Sequence, residues 1–224
     1  MTGPERHYTG AAGREYHGRK HILPVKAVSW VARLRAEKIQ PFVQPTDTVF
    51  EFGAGTGWNL LGLRCARRIA FDLSGRPESS DPGIDWIDNL SEIAPESINV
   101  VVCHHTLEHV ELPPVELRKL AKLLRPGERI LLFVPFEKER RYRQHDPNEP
   151  NHHLYSWNAQ TLGNLVTECG FKLESATVGE FGYDRFASNL AYKLKIGESG
   201  FRIIRRMVHL VKPASEVRVV ASRR

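Results

Sequence analysis

The chain has 224 residues, 41% of them hydrophobic and 26% charged, with a formal net charge of +6. That length gives one domain a full core without disulfide or metal staples, and the three scattered cysteines, Cys65, Cys103 and Cys169, fit a reduced, cytoplasmic setting instead of a disulfide framework. No apolar run reaches the roughly 18 residues of a membrane span, and the basic balance, with a pI of about 9.3, attracts anions but has no nucleic-acid-binding signature beside it.

Residues 1–21 are polar, lack an apolar leader core and are expected to be irregular without a ligand. From Leu23 to Ile39 the residues Val25, Val28, Val31 and Leu34 recur at helical spacing, until Pro41 and Pro45 break the pattern. Residues 1–44 therefore read as a lid segment and helix, with Tyr16 and His17 as lid side chains, ahead of a domain over 45–224. In that domain strands are predicted over 48–52, 69–73, 84–87, 98–103, 129–135, 174–181 and 216–222. Helices are predicted over 58–68, over 112–124 with proline in its first turn, and over 160–171, closed by Gly170. The crossover at 74–83 is too short and polar for a regular helix. Strands alternating with helices, and fully apolar fourth and fifth strands, define an α/β fold. It is a doubly wound, mostly parallel, seven-stranded Rossmann-like sheet with the last strand antiparallel.

One further helix, about 199–213, interrupts the last two strands. Phe201, Ile204, Val208 and Val211 share one face, and Arg202, Arg205, Arg206 and His209 take the other. Such a helix packs on the sheet, on the second subunit of a homodimer, or on a membrane surface.

The stretch VFEFGAGTGWNLL, 49–61, carries the chemistry. A strand ends in Glu51-Phe52, three glycines follow at Gly53, Gly55 and Gly57, and a helix begins. Glycine lets backbone approach a ligand closely, and in an open parallel sheet ligands sit at this end of the strands. A phosphate-cradling loop needs Lys-Ser/Thr after its glycines, where this chain has Trp58-Asn59. A dinucleotide fingerprint needs glycine where Trp58 stands. Asp72, at the end of the second predicted strand, is placed to accept from ribose hydroxyls, and Asp88, after the third, from an adenine amine.

EFGAGTG, FDL, WIDNL, NVVVCHHTLEHV and LLRPGERILLFVP follow one another in this order, with NHHLYSWNAQTL and CGF beyond. Together they resemble the class I S-adenosylmethionine-dependent methyltransferases of the small-molecule type, over about residues 45–182. The resemblance implies S-adenosylmethionine as cofactor. Gly53, Ala54, Gly55 and Gly57 would meet its methionyl part and Glu51 its ammonium. Asp72 and Leu73 would meet the ribose side, Asp88 and Asn89 the adenine, and His104 would lie below the sulfonium. The reaction implied is methyl transfer to oxygen or nitrogen of a small polar acceptor such as a sugar or secondary-metabolite unit. RNA is a second acceptor class, against which stands the absence of the Asn/Asp-Pro-Pro-aromatic signature after the fourth strand; a non-catalytic scaffold is a third reading.

Methyl transfer to a hydroxyl or amine calls for a base near neutrality, and histidine suits it. The candidates are His109, in the Glu108-His109-Val110 motif, and His145 and His153 in the loop 136–153. The same loop holds KERRYR, 138–143, a cluster suited to an anionic acceptor group, while Phe136, Tyr155 and Trp157 offer aromatic walls. His105 and His109 at i, i+4 raise a metal site, but no third helical ligand follows, and no metal is expected.

Overall fold

The computed structural model describes residues 4–20, 22–137, 144–147, 149 and 151–224. Its elements in chain order are α1 (Gly10–Lys20), α2 (Val25–Ile39), β1 (Thr48–Phe52), α3 (Trp58–Leu61), β2 (Arg67–Phe71), β3 (Asp85–Ile87), β4 (Ile98–His104), α4 (Pro113–Leu123), β5 (Leu124–Pro135), α5 (Ala159–Glu168), β6 (Phe171–Glu180), α6 (Asp184–Lys193), α7 (Gly197–Val211) and β7 (Ser215–Arg223). The strands form one sheet in the order β3-β2-β1-β4-β5-β7-β6. All pairs are parallel except those of β7, which runs antiparallel to both β5 and β6.

The core shows why the middle strands read as continuous apolar runs. Side chains alternate across a sheet, so neighbours on one strand go to opposite layers. Phe50, Val101, Cys103, Ile130, Leu132 and Val134 pack with Leu117 and Leu120 of α4 and Leu162 and Val166 of α5. Val49, Val100, Val102, Leu131 and Phe133 pack with Ala36 and Ile39 of α2 and Leu60 of α3. A smaller third cluster joins Val31 of α2 to Ala187, Ala191 and Phe201 of the α6–α7 pair.

The differences from the sequence expectation have local causes. The helix predicted over 58–68 stops at Leu61: α2 lies so close that a Cβ on Gly62 would come 2.8 Å from the Ala32 carbonyl, and the Arg68 side chain takes the carbonyls of Leu60 and Leu63. The N-terminal residues are not irregular. A 3-10 turn over Pro4–His7 and the helix α1 form there, held by the backbone bond from Gly10 to Leu73 (3.4 Å) and by the fit of Gly13 between the Tyr8 carbonyl and Ser74. In α2 the buried face is Ala27, Val31, Ala32, Ala36 and Ile39, whereas Val25 is exposed. β5 begins already at Leu124, taking Pro126-Gly127 into the strand. The insertion before β7 is a pair of helices, α6 and α7. α7 keeps Phe201 buried and Ile204 and Val208 half-buried on its expected apolar face, but Arg205 is also half-buried and His209 buried, while Val211 is exposed.

Candidate active site

The glycine corner follows from β1. Gly53, Gly55 and Gly57 all have positive φ, at 76°, 55° and 75°, a backbone region that side chains with a Cβ enter at a cost. Gly53 has a second constraint, since a Cβ there would sit 2.2 Å from Thr106 Oγ1. The backbone N–H groups of Gly53 and Ala54 both donate to the Phe71 carbonyl at 2.9 Å. Asp72 clasps the corner from β2: one carboxylate oxygen accepts from Gly55 N–H at 2.7 Å, the other from the Ser74 N–H and hydroxyl at 2.9 and 2.6 Å.

Beneath the corner Glu51 is fully buried. Its Oε1 accepts from Asn59 Nδ2 at 2.5 Å, but Glu51 Oε2 and Asn59 Oδ1 have no hydrogen-bond partner among the described residues. Burial pushes the Glu51 carboxyl up to about 8, partly opposed by the Asn59 bond and the charge of Arg35. Two orphaned acceptors under a glycine corner match a cationic hydrogen-bond donor brought by a ligand.

The corner opens into a cleft of about 1070 Å³. Gly53, Ala54, Gly55, Thr56, Trp58 and Asn59 form one wall. Arg35 reaches in from α2, with its guanidinium 5.8 Å from the Trp58 ring centre and bonded to buried Asp184. The cleft is also lined by Glu108, His109, Phe136, Glu137 and His153. His153 Nδ1 lies 2.7 Å from Glu137 Oε1; the carboxylate accepts, so the proton sits on Nδ1 and the lone pair on Nε2. Tyr8 donates its hydroxyl proton to the Asn151 carbonyl at 2.5 Å and therefore accepts from His109 Nδ1 at 2.8 Å. Its ring also lies against His109, while His7 stacks on His152 at 3.9 Å. The N-terminal strap thus runs from Ser74, beside Asp72, to the loop that carries His153.

His104 and His105, which also line the cleft, belong to a second polar cluster. Lys38 of α2 donates to both Glu216 oxygens at 2.8 and 3.0 Å and lies 2.7 Å from His104 Nε2. His105 Nε2 bonds Glu216 at 3.2 Å. Burial lowers Lys38 to about 8 although Glu216 holds it up. Burial works to raise Glu216, and the charges and bonds of Lys38 and His105 overcome it, leaving it well below the usual carboxylate range. Burial and the Lys38 charge keep His104 neutral, and burial brings His105 down to about 4. Arg218 Nε also donates to Glu216, at 2.9 Å, so near neutral pH this is one buried carboxylate held by two cations and flanked by two neutral rings.

Two clusters have metal-like spacing, with ligand atoms within 4.8 Å of one another: His104–His105–Glu216 and Glu108–His109–His153. In the first, the Lys38 ammonium already occupies the cation position. His105 and His109 do not share a helix face, because His105 has φ of 53° ahead of the short 3-10 turn Leu107–His109.

The cleft brings together Gly53, Ala54, Gly55, His104, His109 and His153. Glu51, Gly57 and Asp72 support it from behind the corner. Leu73 is exposed, as is Asp88, and Asn89 caps the 3-10 turn Leu90–Glu92 by accepting from Ser91 N–H. His145 is exposed and does not line the cleft. Phe136 lines it, whereas Tyr155 stacks on Trp157 at 5.5 Å and bonds the Glu111 carbonyl. KERRYR and the side chains of Tyr16 and His17 lie outside the described residues. Sequence reasoning missed Tyr8, Arg35, Lys38, Asn59, Glu137 and Glu216. Only Asn59 carried a signal, as a polar residue at a helix position that faces the core.

Residues 20–176 match the protein family described as "Methyltransferase domain". Among solved structures the chain is similar to a Bacillus halodurans protein assigned as a methyltransferase, at 15% identity and a TM-score of 0.56, covering 84% of this chain and 97% of that one. It is similar to a chain from the Haloferax volcanii complex of the Trm112 methyltransferase activator, at 14% identity and a TM-score of 0.62 over 100% of both chains. Haemonchus contortus phosphoethanolamine N-methyltransferase 2, in complex with phosphomonomethylethanolamine and S-adenosylhomocysteine, shares 11% identity and a TM-score of 0.53 over 85% of this chain and 52% of that one. At these identities the likeness is one of fold. No curated protein matches the chain.

Proposed function

The chain belongs to this methyltransferase-domain family, and we propose that it moves the methyl group of S-adenosylmethionine onto an oxygen, or a nitrogen, of a small polar acceptor such as a sugar or secondary-metabolite unit. The observation that carries the reading is the pairing, across one cleft, of the orphaned Glu51–Asn59 acceptors with the Glu137–His153 dyad. The first fits the ammonium of the cofactor's amino-acid end, and Arg35 fits its carboxylate. Asp72 is proposed for the ribose diol, and Asp88 and Asn89 for the adenine edge.

The bound cofactor supplies a methyl group on a sulfonium, an electrophile that needs no further activation. The protein must align the acceptor behind the methyl carbon and take its proton. In our reading His153 Nε2 accepts that proton as the acceptor–carbon bond forms and the carbon–sulfur bond breaks. Glu137 holds the ring in the Nδ1–H tautomer and stabilises the imidazolium. His109 lines the same wall, its ring fixed by Tyr8. No metal is invoked.

Calorimetric titration with S-adenosylmethionine and, separately, NADH tests the cofactor assignment. Micromolar binding of the first and none of the second is expected; the reverse overturns it. Release of S-adenosylhomocysteine in a panel of sugars, phenols, amines and RNA then identifies the acceptor class. Turnover with RNA alone would overturn the small-molecule reading.

A further inference from the structure

We infer that the α6–α7 pair docks the protein on an anionic lipid surface, with the mouth of the cleft facing that surface. The first observation is that α7 has more apolar surface than its core contact uses: Phe201 and Ile204 pack inward, and a second set of apolar side chains faces out. An amphipathic helix on a globular protein points its apolar stripe at the core. Here Arg205 points inward to buried Asp184 at 3.0 Å, and His209 is buried against Tyr183. Ile203, Met207, Leu210 and Val211 face solvent, the last two at 78% and 87% exposure. Phe186 and Leu194 of the preceding helix and turn are exposed as well.

The second observation is charge. Residues 184–212 hold seven Lys or Arg and two Asp or Glu, a net +5 of the chain's +6. Arg202 and Arg205 are spent on ion pairs with Glu37, Glu198 and Asp184. Lys193, Lys195, Arg206 and Lys212 stand exposed around the apolar side chains. Apolar residues ringed by cations, on a helix too short and too charged to span, are what an interfacial helix presents to anionic lipid. A second copy of the chain fits less well, since an isologous pairing would set +5 against +5.

The third observation is position. Tyr183 and Arg185 at the start of α6 and Lys212 and Pro213 after α7 line the cleft itself. A surface bound by this pair therefore meets the cleft mouth, and an amphiphilic acceptor, its polar head in the cleft and its tail in the lipid, suits that arrangement. This last clause rests on the methyl-transfer reading; the docking does not.

Flotation of the full chain, without cofactor or acceptor, separates the two. The protein should float with vesicles of phosphatidylcholine and phosphatidylglycerol in equal parts, weakly with pure phosphatidylcholine, and less at high salt. Leu210→Ser with Val211→Ser alters only exposed side chains and should lower the bound fraction at least about tenfold, as should Lys193→Glu with Arg206→Glu. S-adenosylmethionine affinity, read by calorimetry on the same variants, should be unchanged. Absence of flotation with the anionic vesicles at low salt overturns the inference. So does a dimer in sedimentation equilibrium that the Leu210 and Val211 substitutions dissolve, which would assign the face to a second copy.

Discussion

Glu51 on β1 and Glu216 on β7 are both carboxylates with no exposed surface, yet they hold their protons oppositely. Glu216 has two built-in cations, Lys38 at 2.8 Å and Arg218 at 2.9 Å, and stays ionised. Glu51 has no cation within ion-pair distance among the described residues, and burial carries it to about 8. A buried charge persists only when paired. The comparison therefore separates a polar cluster whose charges are balanced within the fold from one that is balanced only when a ligand arrives. The first is structural, and the second is the one proposed as the cofactor seat.

The largest effect should come from breaking the balanced pair. Lys38→Met removes the more deeply buried of the two cations on Glu216, leaving the part-exposed Arg218 at 2.9 Å, and should cost about 3 kcal/mol of stability, read by denaturant unfolding. Lys38→Met with Glu216→Leu should recover most of that loss. Equal instability of the single and double variants would refute the pairing argument. Next comes the unbalanced carboxylate. Glu51→Gln should weaken S-adenosylmethionine binding about 100-fold, equivalent to about 2.7 kcal/mol, in calorimetry. The same variant checks the protonation claim. Between pH 4.5 and about 8 the unfolded chain has lost the Glu51 proton and the folded chain keeps it, so wild-type apoprotein should lose stability as pH rises through that window. Glu51→Gln should lack this part of the slope. His153→Ala should lower turnover on the identified acceptor about 100-fold with cofactor affinity intact, and Glu137→Gln about tenfold. Full activity of His153→Ala would remove it as the base. The smallest effect should be that of Tyr8→Phe, which loses one hydroxyl network worth about 1 kcal/mol and should raise KM more than it lowers kcat.

The sequence was most legible where chemistry and backbone coincide. Gly53, Gly55 and Gly57 are needed by positive φ, and Glu51 and Asp72 sit where adjacent strands end, so spacing alone located them. The split of Val100–Cys103 between two core layers follows from strand geometry and was visible as an apolar run. Other features gave no local signal. The helix α1 has no apolar stripe and forms because Gly13 fits against Ser74 and Tyr8 reaches His109. The face of α7 was legible in part: Phe201 packs inward with Ile204 against it, but the inward side is wider than hydropathy suggests, because Asp184 and Tyr183 give Arg205 and His209 an interior place while Val211 is exposed.

By itself the sequence determined the fold class, the parallel order of elements and the glycine corner proposed for the cofactor, because each depends on periodicity or on residues close along the chain. Only the tertiary structure decided which histidine gains a carboxylate, which buried acid gains a cation and which side of α7 meets solvent. Glu137 and His153 lie 16 residues apart, and Lys38 and Glu216 lie 178 apart. Charge pairing and desolvation act through space, and no local pattern encodes the neighbour that sets them.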